Sequence, residues 1–151
     1  MKSKIILLLI AIFFITIPTN FSAVTVNAAD EYDQLREKYK EMLTGGTDYN
    51  PADSSISAGI QSITTTANLY WGNMVKSGVP NRTYLWSDFS STTSSSDITN
   101  SYFRLRRMAL AYYTRGSTLY QNPSLKADVL DGLEWMYQNR YNPTKSKYSN
   151  W

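Results

Sequence analysis

The chain has 151 residues, enough for one domain, with 15 Lys plus Arg against 12 Asp plus Glu, and neither cysteine nor histidine. The first absence excludes a disulfide framework; the second excludes histidine triads, histidine general bases and the usual zinc sites within these residues. The compositional oddity is 12 Tyr and 4 Trp, side chains that suit both helical packing and the stacking of sugar rings.

The opening MKSKIILLLIAIFFITIP carries Lys2 and Lys4, then an apolar run from Ile5 to Ile17, then Pro18. Val26 and Ala28 stand at the small-residue positions before a signal-peptidase cut after Ala28. Residues 1–28 therefore read as a secretory signal peptide and 29–151 as the exported chain. The apolar run falls short of the roughly 20 residues that a membrane span takes, so no membrane contact is expected after cleavage. Without Lys2 and Lys4 the balance is 13 cations to 12 acids, near +1, so the sequence pI of about 9.0 argues little for nucleic acid. None is expected as a partner.

The first element is DEYDQLREKYKEML, residues 30–43, with Tyr32, Leu35, Tyr39, Met42 and Leu43 at helical spacing and Gly45-Gly46 as its stop. A second, long helix starts behind an N-cap at Asp53 or Ser54 and carries Ile56, Ile60, Ile63, Ala67, Tyr70, Trp71 and Met74 before Gly78 and Pro80 close it. A loop from about 77 to 96 follows. Tyr84-Leu85-Trp86 in its middle is too aromatic for a linker, and its last seven residues are all Ser or Thr, a low-complexity and flexible end. Asn81-Arg82-Thr83 matches the N-glycosylation pattern, which is common by chance. The third helix, 97–114, aligns Ile98, Tyr102, Leu105, Ala109 and Tyr112. The fourth opens at Asn122-Pro123 and buries Leu125, Val129, Leu133, Met136 and Tyr137 before ending near Tyr141. The fold class is all-α, in antiparallel helical hairpins with no convincing strand.

The other chemistry-bearing residues read as structural. Trp71, Trp86 and Trp135 could be sugar platforms, but beside helical stripes they read as core. Arg104, Arg106 and Arg107 flank an apolar stripe; the cluster could attract an anionic polysaccharide, but it reads better as a solvated face, and one of the three could brace the helix pair. Arg115 and Arg140 complement helix dipoles. Asp128, Asp131 and Glu134, three residues apart, are helical neighbours on a solvated face rather than a carboxylate pair.

The landmarks LTGG, ANLYW, TYLW, RLRRMALAY and GSTLYQNPSLKADVLDGLEWMYQNRYN stand in one order along the chain. Together, from about Asp30 through Trp151, they resemble the amino-terminal part of polysaccharide lyase family 8, which includes hyaluronate, chondroitin AC and xanthan lyases. The resemblance implies the first part of an incomplete α/α toroid, a ring of helical hairpins around a cleft. It also implies cleavage of anionic, uronic-acid polysaccharides by β-elimination through an asparagine, a histidine and a tyrosine supported by an arginine and a glutamate. None of these catalytic residues is placed in this chain, and no metal or cofactor is expected. Asn150 and Trp151 match the first two positions of the family's NWW motif, which implies that they contact the sugar chain.

The expectation is thus an exported amino-terminal fragment of such a lyase, inactive alone and marginally stable because its last hairpin leaves an apolar face uncovered, with a monomeric parent enzyme. The alternative is a non-catalytic secreted carbohydrate-binding helical module. A third reading is a secreted helical protein without carbohydrate contact.

Overall fold

A computed structural model describes residues 30–145. Among them are four α-helices, α1 (Glu31–Thr44), α2 (Ser54–Gly72), α3 (Ser95–Tyr113) and α4 (Pro123–Asn139), with a 3-10 turn at Ser87–Phe89 and no strand. The proposed signal peptide and the Asn150–Trp151 pair lie outside the described residues.

Each helix start is encoded by its cap. Asp30 and Asp33 form a reciprocal capping box on α1, the Asp33 N–H donating to Asp30 at 2.8 Å. Asp53 accepts from the Ser55 N–H at 2.9 Å to open α2, and Asn122 accepts from the Leu125 N–H at 3.0 Å behind Pro123 to open α4. α3 begins earlier than the sequence suggests. The Ser/Thr tract is drawn into structure: Ser94 caps the helix, Ser95 and Ser96 enter its first turn, and the Ser91 N–H donates to the Asp97 carboxylate at 3.0 Å. The expected flexible end is thus an anchored N-terminus.

α3 is the central element, packed against α2 on one side and α4 on the other. Ile98, Leu105, Met108 and Ala111 of α3 meet Ala67 of α2 and Leu125, Val129 and Met136 of α4 in one core. Pairings run antiparallel. The start of α2 sits near the turn after α3, where Thr64 lies 2.8 Å from Ser117, and its end reaches Arg104 through Tyr70. The Gln121 N–H donates to the Tyr112 carbonyl at 2.9 Å, closing the α3–α4 hairpin. The result is stacked helical hairpins consistent with an incomplete α/α toroid.

Two glycines set the approach of these layers. A Cβ on Gly132 would stand 2.6 Å from Leu105 and 2.8 Å from Met74, so α4 lies directly on α3 there. Gly116 has φ 89°, and a Cβ there would meet Pro51 at 2.7 Å.

Three stripes differ from expectation. α2 ends at Gly72 rather than continuing through Met74, because the Val75 N–H turns to the Leu85 carbonyl at 2.8 Å. On α4 the buried face is Leu125, Val129, Gly132 and Met136, while Leu133 and Tyr137 are exposed and the helix stops at Asn139. α1 buries no residue: Leu35 and Met42 of its apolar stripe are 64% and 70% exposed, and Leu43 is only partly buried.

Candidate functional site

The segment bearing Asn150 and Trp151 continues from the end of α4, and the described structure reaches Lys145. Along α4, the last turn of α2 and the loop after it are clasped onto the helix. The Trp71 indole N–H donates to Asp128 at 2.6 Å, and the Lys76 ammonium, 2.9 Å from the same carboxylate, lies 4.8 Å over the Trp71 ring. Arg82 donates to Asp131 at 2.5 Å and to the Val75 carbonyl at 3.3 Å. Arg82 and Arg140 both stack on Trp135, at 5.4 and 4.7 Å from its centroid. Arg140, 6% exposed, also donates to the Thr83 carbonyl, so the last turn of α4 is fastened to the loop.

Burial alone would push the Asp128 carboxyl up. The hydrogen bonds from Trp71 and Lys76, with the nearby charges of Lys76 and Arg82, outweigh burial and hold it below the ordinary carboxylate range. A carboxyl held ionised in this way is a poor proton donor near neutral pH. Held ionised, Asp128 ties Trp71 and Lys76 to the first half of α4, while Arg140 fastens the last turn of that helix.

Asp128 and Asp131 are not a solvated face, since each holds a cation or indole from another segment; Glu134 alone stays on the surface, where it accepts from Gln138 at 2.7 Å. Arg140 and Arg115 do more than complement helix ends. Arg115 donates to the Tyr49 carbonyl, and the Tyr49 hydroxyl donates back to the Arg115 carbonyl at 2.8 Å, joining the α1–α2 connection to the turn after α3.

Leu85 and Trp86 are each 1% exposed, as the aromatic loop suggests, and the Trp86 indole N–H donates to the Tyr70 carbonyl at 2.8 Å. Arg104 departs from the solvated-face reading. It grips Asp88 with two parallel bonds of 2.8 and 2.6 Å and lies over Phe89, Tyr70 and Trp86 at 4.1, 5.0 and 5.4 Å. This is the bracing role that one arginine was open to, directed at the 3-10 turn. The hydrogen bond from Arg104 leads the effects that lower the Asp88 carboxyl. Arg106 and Arg107 remain exposed.

Lys76 and Arg82 are the site residues that the sequence did not single out for this role; nothing local to either marks its distant carboxylate. Among the described residues no cluster of three or more His, Cys, Asp or Glu is placed to hold a metal ion, and no helix is long and apolar enough to cross a membrane.

The family model described as polysaccharide lyase family 8, N terminal alpha-helical domain, matches residues 39–151. The chain is 42% identical over 145 residues to a xanthan lyase of Bacillus sp. (strain GL1), an alignment covering 95% of this chain and 15% of that protein. It is 34% identical over 126 residues to a hyaluronate lyase of Enterococcus faecalis (strain ATCC 700802 / V583), covering 83% of this chain and 12% of the relative. A solved Paenibacillus xanthan lyase superposes with a TM-score of 0.76 at 50% identity, over 82% of this chain and 12% of that one. A Streptomyces coelicolor A3 chondroitin AC lyase solved in complex with chondroitin sulphate gives 0.69 at 32% identity, over 82% of this chain and 16% of that one. The chain thus spans less than a fifth of the length of each of these relatives.

Proposed function

The chain belongs to polysaccharide lyase family 8, and from that premise we propose that it forms the opening helical hairpins of an exported lyase that breaks uronic-acid polysaccharides by β-elimination. In this chemistry a base removes the proton beside the uronate carboxylate while an acid protonates the oxygen that leaves. The proton is poorly acidic next to an ionised carboxylate. Stabilisation of the charge that develops there therefore carries much of the rate, and a positioned base and acid supply the rest. Since the 151 residues hold no histidine, we place the reacting groups outside them. The role of this segment is to build one wall of the cleft and to hold the polysaccharide through Asn150 and Trp151.

The observation that supports this reading best is the continuous match to the helical domain over residues 39–151. The fastening of Arg140 to the Thr83 carbonyl and the Trp135 ring suits the role, because it anchors the last turn of α4, from which the chain continues toward Asn150 and Trp151. Xanthan is the first substrate to test, given 42% identity to a xanthan lyase against 34% to a hyaluronate lyase.

The test is a graft. Residues 30–145 replace the matching helices of the Bacillus xanthan lyase, and the ultraviolet absorbance of the unsaturated uronate is followed on xanthan, hyaluronan and chondroitin. Turnover by the graft and none by the 151-residue chain is the expected result. A folded graft without turnover on any of the three overturns the cleft-wall role; turnover by the short chain overturns the placement of the reacting groups.

A further inference from the structure

Between α1 and α3 runs an open groove of about 370 Å³. Four cations line it, Arg36 and Lys40 from α1 and Arg106 and Arg107 from α3, and no acidic residue does. Arg36 and Lys40 are ion-paired to Asp33 and Glu37 along their own helix. Neither Arg106 nor Arg107 forms an ion pair among the described residues; Arg107 only rests 4.9 Å over the Phe103 ring. The groove therefore carries uncompensated positive charge from at least two guanidinium groups. Its floor is apolar, formed by Leu43 and Leu110. Each wall contributes one tyrosine, Tyr39 at 53% and Tyr113 at 50% exposure, and Lys40 reaches across to lie 5.6 Å over the Tyr113 ring.

Uncompensated guanidinium charge beside two half-exposed aromatic faces is complementary to a polyanion with apolar faces.

We propose that this groove binds a strand of uronic-acid polysaccharide, as a contact separate from the one assigned to Asn150 and Trp151. Carboxylates along the strand meet Arg106, Arg107 and the α1 cations, while sugar rings lie on the flat faces of Tyr39 and Tyr113 with hydroxyls at their tips. An acidic polypeptide would satisfy the charges, but it has less use for two half-exposed tyrosines facing one cleft. The choice of a uronate strand rests on the family reading above; the excess of cations does not.

Calorimetric titration of the full chain with a hyaluronan hexasaccharide, at low and raised salt, tests the site. Expected are saturable binding that weakens with salt, a loss of about tenfold or more in R106S/R107S, and recovery in R106K/R107K. Both arginines are exposed, so the variants should keep the parent's helical circular dichroism. Should they not, the Tyr39 and Tyr113 ring protons of the unmodified chain report the same contact by their shifts on adding the hexasaccharide. No binding, binding that R106S/R107S leaves unchanged, or ring shifts confined to residues outside the groove each overturn the proposal. Equal or tighter binding of a poly-glutamate peptide overturns it in favour of an acidic polypeptide. Loss of turnover in the grafted lyase would strike the family role and not this groove, so the two failures are told apart.

Discussion

Asp128 collects an indole N–H and an ammonium from segments 57 and 52 positions away, at 2.6 and 2.9 Å. Its carboxyl titrates lower in the folded chain than in the unfolded one, so the unfolded chain takes up that proton first. The group therefore stabilises the fold above the unfolded value, and this contribution is lost as the pH falls through the lower, folded value. The melting temperature is expected to drop as the pH is taken below about 4. Asp128→Ala should flatten part of that slope and cost about 1–2 kcal/mol at neutral pH, measured by thermal melts across the range. A variant with the parent's full acid sensitivity would remove Asp128 from this role. The spacing of Asp128, Asp131 and Glu134 was legible in the sequence, but their function was not. A three-residue step says that carboxylates share a helix surface; it says nothing of Trp71, Lys76 or Arg82 arriving from another element. Arg104 is similar, since its partner Asp88 sits in a loop whose path depends on where Trp86 is buried.

At the scale of the helices, the starts were legible because caps are local chemistry. Asp53, Asn122-Pro123 and the Gly45 stop all act within a turn of themselves. Buried faces were less so. The apolar stripe of α4 is wide enough for two neighbours, and periodicity cannot say which side α3 occupies. Gly132 decides it, and glycine carries no hydrophobic signal. Gly132→Ala would improve intrinsic helix propensity by about 1 kcal/mol, yet its methyl would press into Leu105 and Met74. Overpacking of that kind costs about 1–3 kcal/mol, so a net loss of stability is expected in denaturant melts. A variant more stable than the parent would mean that the α3–α4 seam is looser than described. For the candidate site, the sequence named Asn150 and Trp151 through the family motif, while the clasp along α4 emerged only from tertiary contacts.

Taken whole, the described residues leave apolar surface on both outer layers. On α1 it is Tyr32, Leu35, Tyr39 and Met42; on α4 it is Leu130, Leu133 and Tyr137, with Tyr141 just beyond its end. Contiguous exposed patches of this kind mark surfaces that pack on something. The 151-residue chain is accordingly expected to associate as its concentration rises, as read by sedimentation velocity. L133E/Y137E should shift it toward monomer without lowering its melting temperature. A parent chain that stays monomeric at high concentration would contradict this.

α1 differs from its neighbours in how it is held. It has its own capping box, its own glycine stop and two ion pairs along its length, yet it buries no residue. Its shape is thus written locally, while its attachment depends on a thin seam with α3 and on the Tyr49–Arg115 knot just beyond it. A helix of 14 residues is marginal in water by itself. Amide protons of α1 should therefore exchange through openings far smaller than those that release α3, as a separate unit of the same chain. Whatever seats itself in that seam will register first as slower exchange along α1.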